Sequence, residues 1–86
     1  MPELRFDEKA WDDYLDAQQD KAKIRRINAL IKEILRDPFH GKGKPEPLKH
    51  GDTDRWSRRI SGSDRLVYRV TKDAIVILQC KGHYDD

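Results

Sequence analysis

Arg65-Leu66-Val67-Tyr68-Arg69-Val70, then Thr71-Lys72-Asp73, then Ala74-Ile75-Val76-Ile77-Leu78-Gln79-Cys80: this run decides the fold. In its first part Leu66, Tyr68 and Val70 alternate with Arg65, Val67 and Arg69, the pattern of a strand with one apolar face. Thr71-Lys72-Asp73 turns the chain. Ala74 to Cys80 is apolar on both faces, which suits a buried strand inside a sheet. Upstream, Ser61-Gly62-Ser63-Asp64 reads as a turn and Trp56-Ser57-Arg58-Arg59-Ile60 as a further strand. Three strands joined by short turns predict an antiparallel meander.

Further back the period changes from 2 to 3.6. Phe39 to Pro47 carries two glycines and two prolines and reads as loop. Before it, Ile24, Ile27, Leu30, Ile31, Ile34 and Leu35 keep helical spacing, with Asp20 as N-cap and Pro38 as the stop. Asp7 caps a first helix over about 8–17, where Trp11, Tyr14 and Leu15 form the apolar stripe and the acids face water. Leu4-Arg5-Phe6 can be a short first strand. The 86 residues therefore predict one α+β domain spanning 1–86, two N-terminal helices packed on a twisted antiparallel sheet. Trp11, Trp56 and Tyr68 are read as core and Cys80 as buried and inert. A core this small leaves room for a partner or a second copy to add stability.

Composition excludes several classes. The longest apolar run, Ala74 to Leu78, is far short of a membrane span. Nothing at the N-terminus resembles a signal peptide, and a single cysteine forms no internal disulfide. The expected location is the cytoplasm. His40, His50 and His83 are scattered and Cys80 has no partner at ligand spacing, so no metal and no cofactor is expected. No phosphate loop and no serine triad is present. Charge is unevenly spread. Residues 1–20 hold seven acids against two bases, whereas residues 21–84 hold sixteen bases against seven acids. A basic block of that size fits a polyanion.

On a basic surface without metal ligands, acid–base cleavage of RNA is the available chemistry. RNA carries its own nucleophile, the 2′-hydroxyl. An enzyme must take that proton, neutralise the crowded phosphate and protonate the leaving 5′-oxygen. Each positioned proton-transfer group contributes ~10²–10⁴-fold. Glu46 is the one acid of the basic loop 39–51, among Lys42, Lys44, Lys49 and His50, and is the candidate base. Arg58, Arg59, Arg65 and Arg69 follow on two strands, and a guanidinium fork suits phosphate. His83 is the natural proton donor near neutral pH, and Tyr84 can stack on a base. Each of these residues alone is more often a solvated surface group.

Several stretches resemble a known family. Lys42-Gly43-Lys44-Pro45-Glu46-Pro47-Leu48-Lys49-His50, Trp56 to Ile60, Arg65 to Tyr68, and Cys80 with His83-Tyr84 look like the YoeB toxins of the RelE superfamily. Trp11-Asp12-Asp13-Tyr14-Leu15 and Ile27 to Lys32 are similar too. The resemblance implies a microbial-RNase-like fold and a toxin of a type II toxin–antitoxin system. Such a toxin cuts messenger RNA in the A site of the 70S ribosome, against the 16S ribosomal RNA, and leaves a 2′,3′-cyclic phosphate and a 5′-hydroxyl. It implies Glu46 as general base, His83 as general acid and Arg65 as transition-state stabiliser. Arg59 and Lys49 would hold phosphate, and Tyr84 would orient the substrate. It implies no metal, a YefM-type antitoxin and a homodimer. This chain departs by continuing past His83-Tyr84 with Asp85-Asp86, and by the acidic segment 51–55.

Two readings compete with catalysis. One is a non-catalytic RNA- or ribosome-binding module, for which Glu46 would be unwelcome near phosphates. The other is an interaction protein whose basic face meets an acidic partner.

Overall fold

The computed structural model describes residues 2–49 and 54–82. Two helices, α1 (Glu8–Ala17) and α2 (Lys21–Arg36), lie on one face of a five-stranded sheet. The strands are β1 (Glu3–Phe6), β2 (Glu46–Pro47), β3 (Arg55–Arg59), β4 (Arg65–Val70) and β5 (Ala74–Gln79). Their order across the sheet is β1-β5-β4-β3-β2. The meander β3–β4–β5 is antiparallel, as the alternation required, and β2 extends it on the far edge. The sheet as a whole is mixed, because β1 joins β5 in parallel. That placement encloses β5 between two neighbours, and its apolar residues are buried at Ala74, Ile75 and Ile77 and half-buried at Val76 and Leu78.

The helix caps follow the sequence. The Asp20 carboxylate accepts from the Lys23 amide at 3.1 Å, and Asp7 accepts from Glu8 at 2.9 Å. Ile27, Leu30 and Ile34 of α2 are fully buried against Leu66, Tyr68, Ile75 and Ile77 of the sheet. That is the core, and helical spacing on one side meets strand alternation on the other.

Three expectations change. The stretch 39–47 is not all loop: Glu46 and Pro47 form β2, paired with Ser57 and Trp56. An edge strand tolerates proline, whose missing N–H is not needed on the open side. The first helix turns Ala10, Asp13 and Ala17 to the core, not Trp11 and Leu15, which are 47% and 46% exposed. Small residues there let α1 approach β5 closely. Trp11 instead joins Phe6 and Tyr14 in an aromatic cluster with ring centroids 5.3–5.8 Å apart. The acids of this helix do not all face water either. Asp13 is buried and accepts a hydrogen bond from the Cys80 amide at 3.1 Å.

Candidate active site

Strand alternation sorts the arginines. On β3, Trp56 and Arg58 point to the helices, so Arg55, Ser57 and Arg59 point away. On β4, Leu66 and Tyr68 point to the helices, so Arg65, Val67 and Arg69 point away. The register sets Arg55 opposite Arg69, Ser57 opposite Val67 and Arg59 opposite Arg65. Glu46 pairs with Ser57 and so shares this face. Between Val67 and Tyr68 the β4–β5 register shifts, so that Val67 faces Gln79 while Tyr68 faces Ile77. This bulge turns Gln79 onto the same face, a common use of such irregularities.

The result is a ruled surface. Glu46, Ser57, Val67 and Gln79 form its central row. Arg55 and Arg69 flank that row on one side, Arg59 and Arg65 on the other. Two residues along a strand is about 7 Å, so the rows are one short side chain apart. Glu46 and Arg59 are exposed, and Arg65 is half-buried.

The four arginines are not equivalent. Arg69 is engaged by Asp54, Nε to Oδ2 at 2.8 Å, and that guanidinium holds the Asp54 carboxyl below the usual aspartate range. Arg59 and Arg65 make no side-chain hydrogen bond or ion pair with any described residue. Of the four arginines on this face, they are the two left open to an external anion.

Arg58 is a correction to the sequence reading. It is fully buried on the helix side of the sheet. Its guanidinium donates to the carbonyls of Asp37, His40 and Lys42 at 2.8, 3.0 and 3.0 Å, and to the Tyr68 hydroxyl at 3.1 Å. Tyr68 in turn donates to the Pro38 carbonyl at 2.6 Å. Arg58 therefore ties down the chain between α2 and β2 and meets no phosphate. The parity was in the sequence, since Arg58 shares its side with Trp56 and Ile60. Burial also pushes the Cys80 thiol up to about 12, helped by the Asp13 carboxylate, so it is no nucleophile.

The other residues singled out by sequence stand as follows. Lys49 lies just past β2, where the Leu48 amide donates to the Arg55 carbonyl, at the opposite end of the face from Arg59 and Arg65. His50, His83 and Tyr84 lie outside the described residues. The chain leading to His83 is firmly held. The Gly82 amide donates to Asp64 Oδ1 at 2.7 Å, and the Gly82 carbonyl accepts from the Arg65 amide at 3.0 Å and from Gln79 Nε2 at 3.2 Å. The Gly82 N–H bond lowers the Asp64 carboxyl, with Lys23 at 3.1 Å and Ser61 contributing.

Sequence reasoning missed Asp13 and Asp64 because each acts on backbone far away in the chain, and Gln79 because the irregularity in the β4–β5 register is what brings it to this face. It also missed Arg26 of α2, whose guanidinium donates to the Arg59 carbonyl at 3.1 Å. Among the described residues no group of three or more His, Cys, Asp or Glu side chains could hold a metal ion. No helix among them is long and apolar enough to cross a membrane.

Comparison with known proteins adds a second line. A family model described as the YoeB-like toxin of bacterial type II toxin–antitoxin systems matches residues 6–84. Toxin YoeB of Escherichia coli is 54% identical over 82 residues, covering 94% of this chain and 98% of that one. The YoeB dimer from Staphylococcus aureus superposes with a TM-score of 0.89 at 44% identity, covering 96% of this chain and 98% of that one. The YoeB–YefM complex from the same organism gives 0.85 at 42% identity, covering 98% and 99%.

Proposed function

This chain belongs to the YoeB-like toxins of bacterial type II toxin–antitoxin systems, and from that premise we propose that it is an endoribonuclease that cuts messenger RNA in the ribosomal A site. The observation that carries the reading is the juxtaposition of Glu46 with Arg59 and Arg65 in neighbouring rows of one sheet face, whose middle, Ser57 and Val67, is buried. A base beside two uncommitted guanidinium groups is what cleavage by the RNA's own 2′-hydroxyl calls for.

In the step proposed, Glu46 takes the proton from the 2′-hydroxyl. The 2′-oxygen forms a bond to phosphorus as the bond to the 5′-oxygen breaks. Arg65 and Arg59 donate to the phosphate oxygens, where negative charge builds in the transition state. Lys49 holds phosphate from the other end of the face. His83 gives its proton to the departing 5′-oxygen, and Tyr84 orients the substrate. The products are a 2′,3′-cyclic phosphate and a 5′-hydroxyl end. Electrons and protons balance without an added reactant. The RNA would be read while bound to the 70S ribosome, in the cytoplasm. Control would come from a YefM-type antitoxin laid across the basic face, with a homodimer as the resting assembly.

Primer extension on messenger RNA after induction in a bacterial host tests this. Wild type is expected to produce cuts within translated codons, and Glu46→Ala and His83→Ala are expected to abolish them. Uncut messages with wild type, or equal cutting by both variants, would remove the catalytic reading and favour a binding module.

A further inference from the structure

One cavity among the described residues is lined by three arginines. It has a volume of about 340 Å³ and is bounded by Arg26, Arg59, Ile60, Ser61, Gly62 and Arg65. It sits where β3 turns into β4, beyond the Arg59–Arg65 row as seen from Glu46. Its three arginines come from three elements, α2, β3 and β4, so the fold and not local sequence brings them together. Arg26 is fixed by its bond to the Arg59 carbonyl at 3.1 Å, which uses one of its five N–H donors. Among the described residues no carboxylate lines the cavity. Asp64 lines the adjoining cavity and is already engaged by Lys23, Gly82 and Ser61.

Three arginines gathered with no acid among the described residues lining the cavity favour the entry of an anion. Arginine forks match phosphate oxygens in particular. The scissile phosphate must lie within reach of Glu46, about 7 Å away along the strands, and Arg59 and Arg65 stand between the two positions. The cavity is therefore placed for a different phosphate.

We propose that this cavity holds the phosphate adjoining the scissile one on the same RNA strand, with Arg26 as a substrate-binding residue. The proposal rests on the RNA-cleavage reading and extends it from the sheet to α2. Arg65 faces both positions and links grip on the strand to the reacting centre.

The test is single-turnover cleavage of ribosome-bound message at increasing toxin concentration. Arg26→Gln is expected to raise the half-saturating concentration roughly tenfold, the loss of about one charge-assisted contact, with the maximal rate unchanged. Arg26→Lys is expected to recover part of it. Replacing the neighbouring phosphate by a neutral methylphosphonate should weaken wild type equally and leave Arg26→Gln no weaker than before. An Arg26→Gln protein that matches wild type overturns the proposal. So does a loss that persists in full on the methylphosphonate message, which would assign Arg26 to ribosomal RNA, to an acidic peptide or to the fold. A melting temperature equal to wild type excludes unfolding as the cause. Failure of wild type to cut at all would instead remove the nuclease reading, and this cavity's role with it.

Discussion

Arg58 and Arg59 are neighbours in opposite surroundings, and alternation along β3 is the whole reason. Arg58 is buried among the carbonyls of Asp37, His40 and Lys42 and the Tyr68 hydroxyl. Replacing it with Leu would leave those acceptors dry and unpaired, at about 1–3 kcal/mol for each group left unsatisfied. Arg58→Leu is therefore expected to lose at least ~3 kcal/mol in urea unfolding. Arg59→Leu should stay within ~0.5 kcal/mol of wild type, as exposed substitutions do, yet lose cleavage. Equal destabilisation by both would contradict the assignment. Residue type alone did not separate the two arginines, since a guanidinium is expected outside. The apolar parity of Trp56 and Ile60 did carry the information. Glu46 was legible for another reason: an acid alone in a basic loop stands out whatever the fold.

Elements differ in how far local pattern reveals them. Both helices and the β3–β5 meander were legible because their periods of 3.6 and 2 run long enough to read. β1 pairs in parallel with β5 some seventy residues away, and no local period encodes that choice. α1 misled because its bulkiest residues lie on the aromatic cluster, while Ala10 and Ala17 make the contact with the sheet. The end of β5 shows the same dependence on distant partners. Asp64, from the β3–β4 turn, holds the Gly82 amide at 2.7 Å. That bond keeps the Asp64 carboxyl below its ordinary value of 3.8. An aspartate lowered in the folded state stabilises at pH values above 3.8 and loses that contribution as pH falls through its folded value. Asp64→Asn keeps an acceptor for Gly82 but removes the charge that faces Lys23. It should melt below wild type at neutral pH, by about 1 kcal/mol. The gap should close as the pH drops below about 4. A gap that stays constant down to pH 2 would show that the charge contributes nothing.

At the scale of the whole molecule, the sheet separates the acidic helix α1 from the arginine rows, while the basic helix α2 shares the side of α1. The helices, with the acidic segment of α1, lie on one face, and the arginine rows lie on the other. The body measures 32 × 29 × 25 Å, several times the ~8 Å screening length at physiological salt. The field over the arginine face is thus set by its own residues and is barely cancelled by α1, so a net charge of only +2 understates its attraction for a polyanion. Association with ribosome-bound message should then fall with salt, log affinity against log salt having a slope of about −0.7 for each single-strand phosphate neutralised. Arg59→Gln and Arg65→Gln should each flatten that slope by about 0.7. Asp12→Asn, on the exposed side of α1, removes the same size of charge from the opposite face and should leave slope and association rate nearly unchanged. Were Asp12→Asn to speed association as much as Arg59→Gln slows it, net charge and not the arginine face would govern approach. The rows on β3 and β4 would then act only after contact is made.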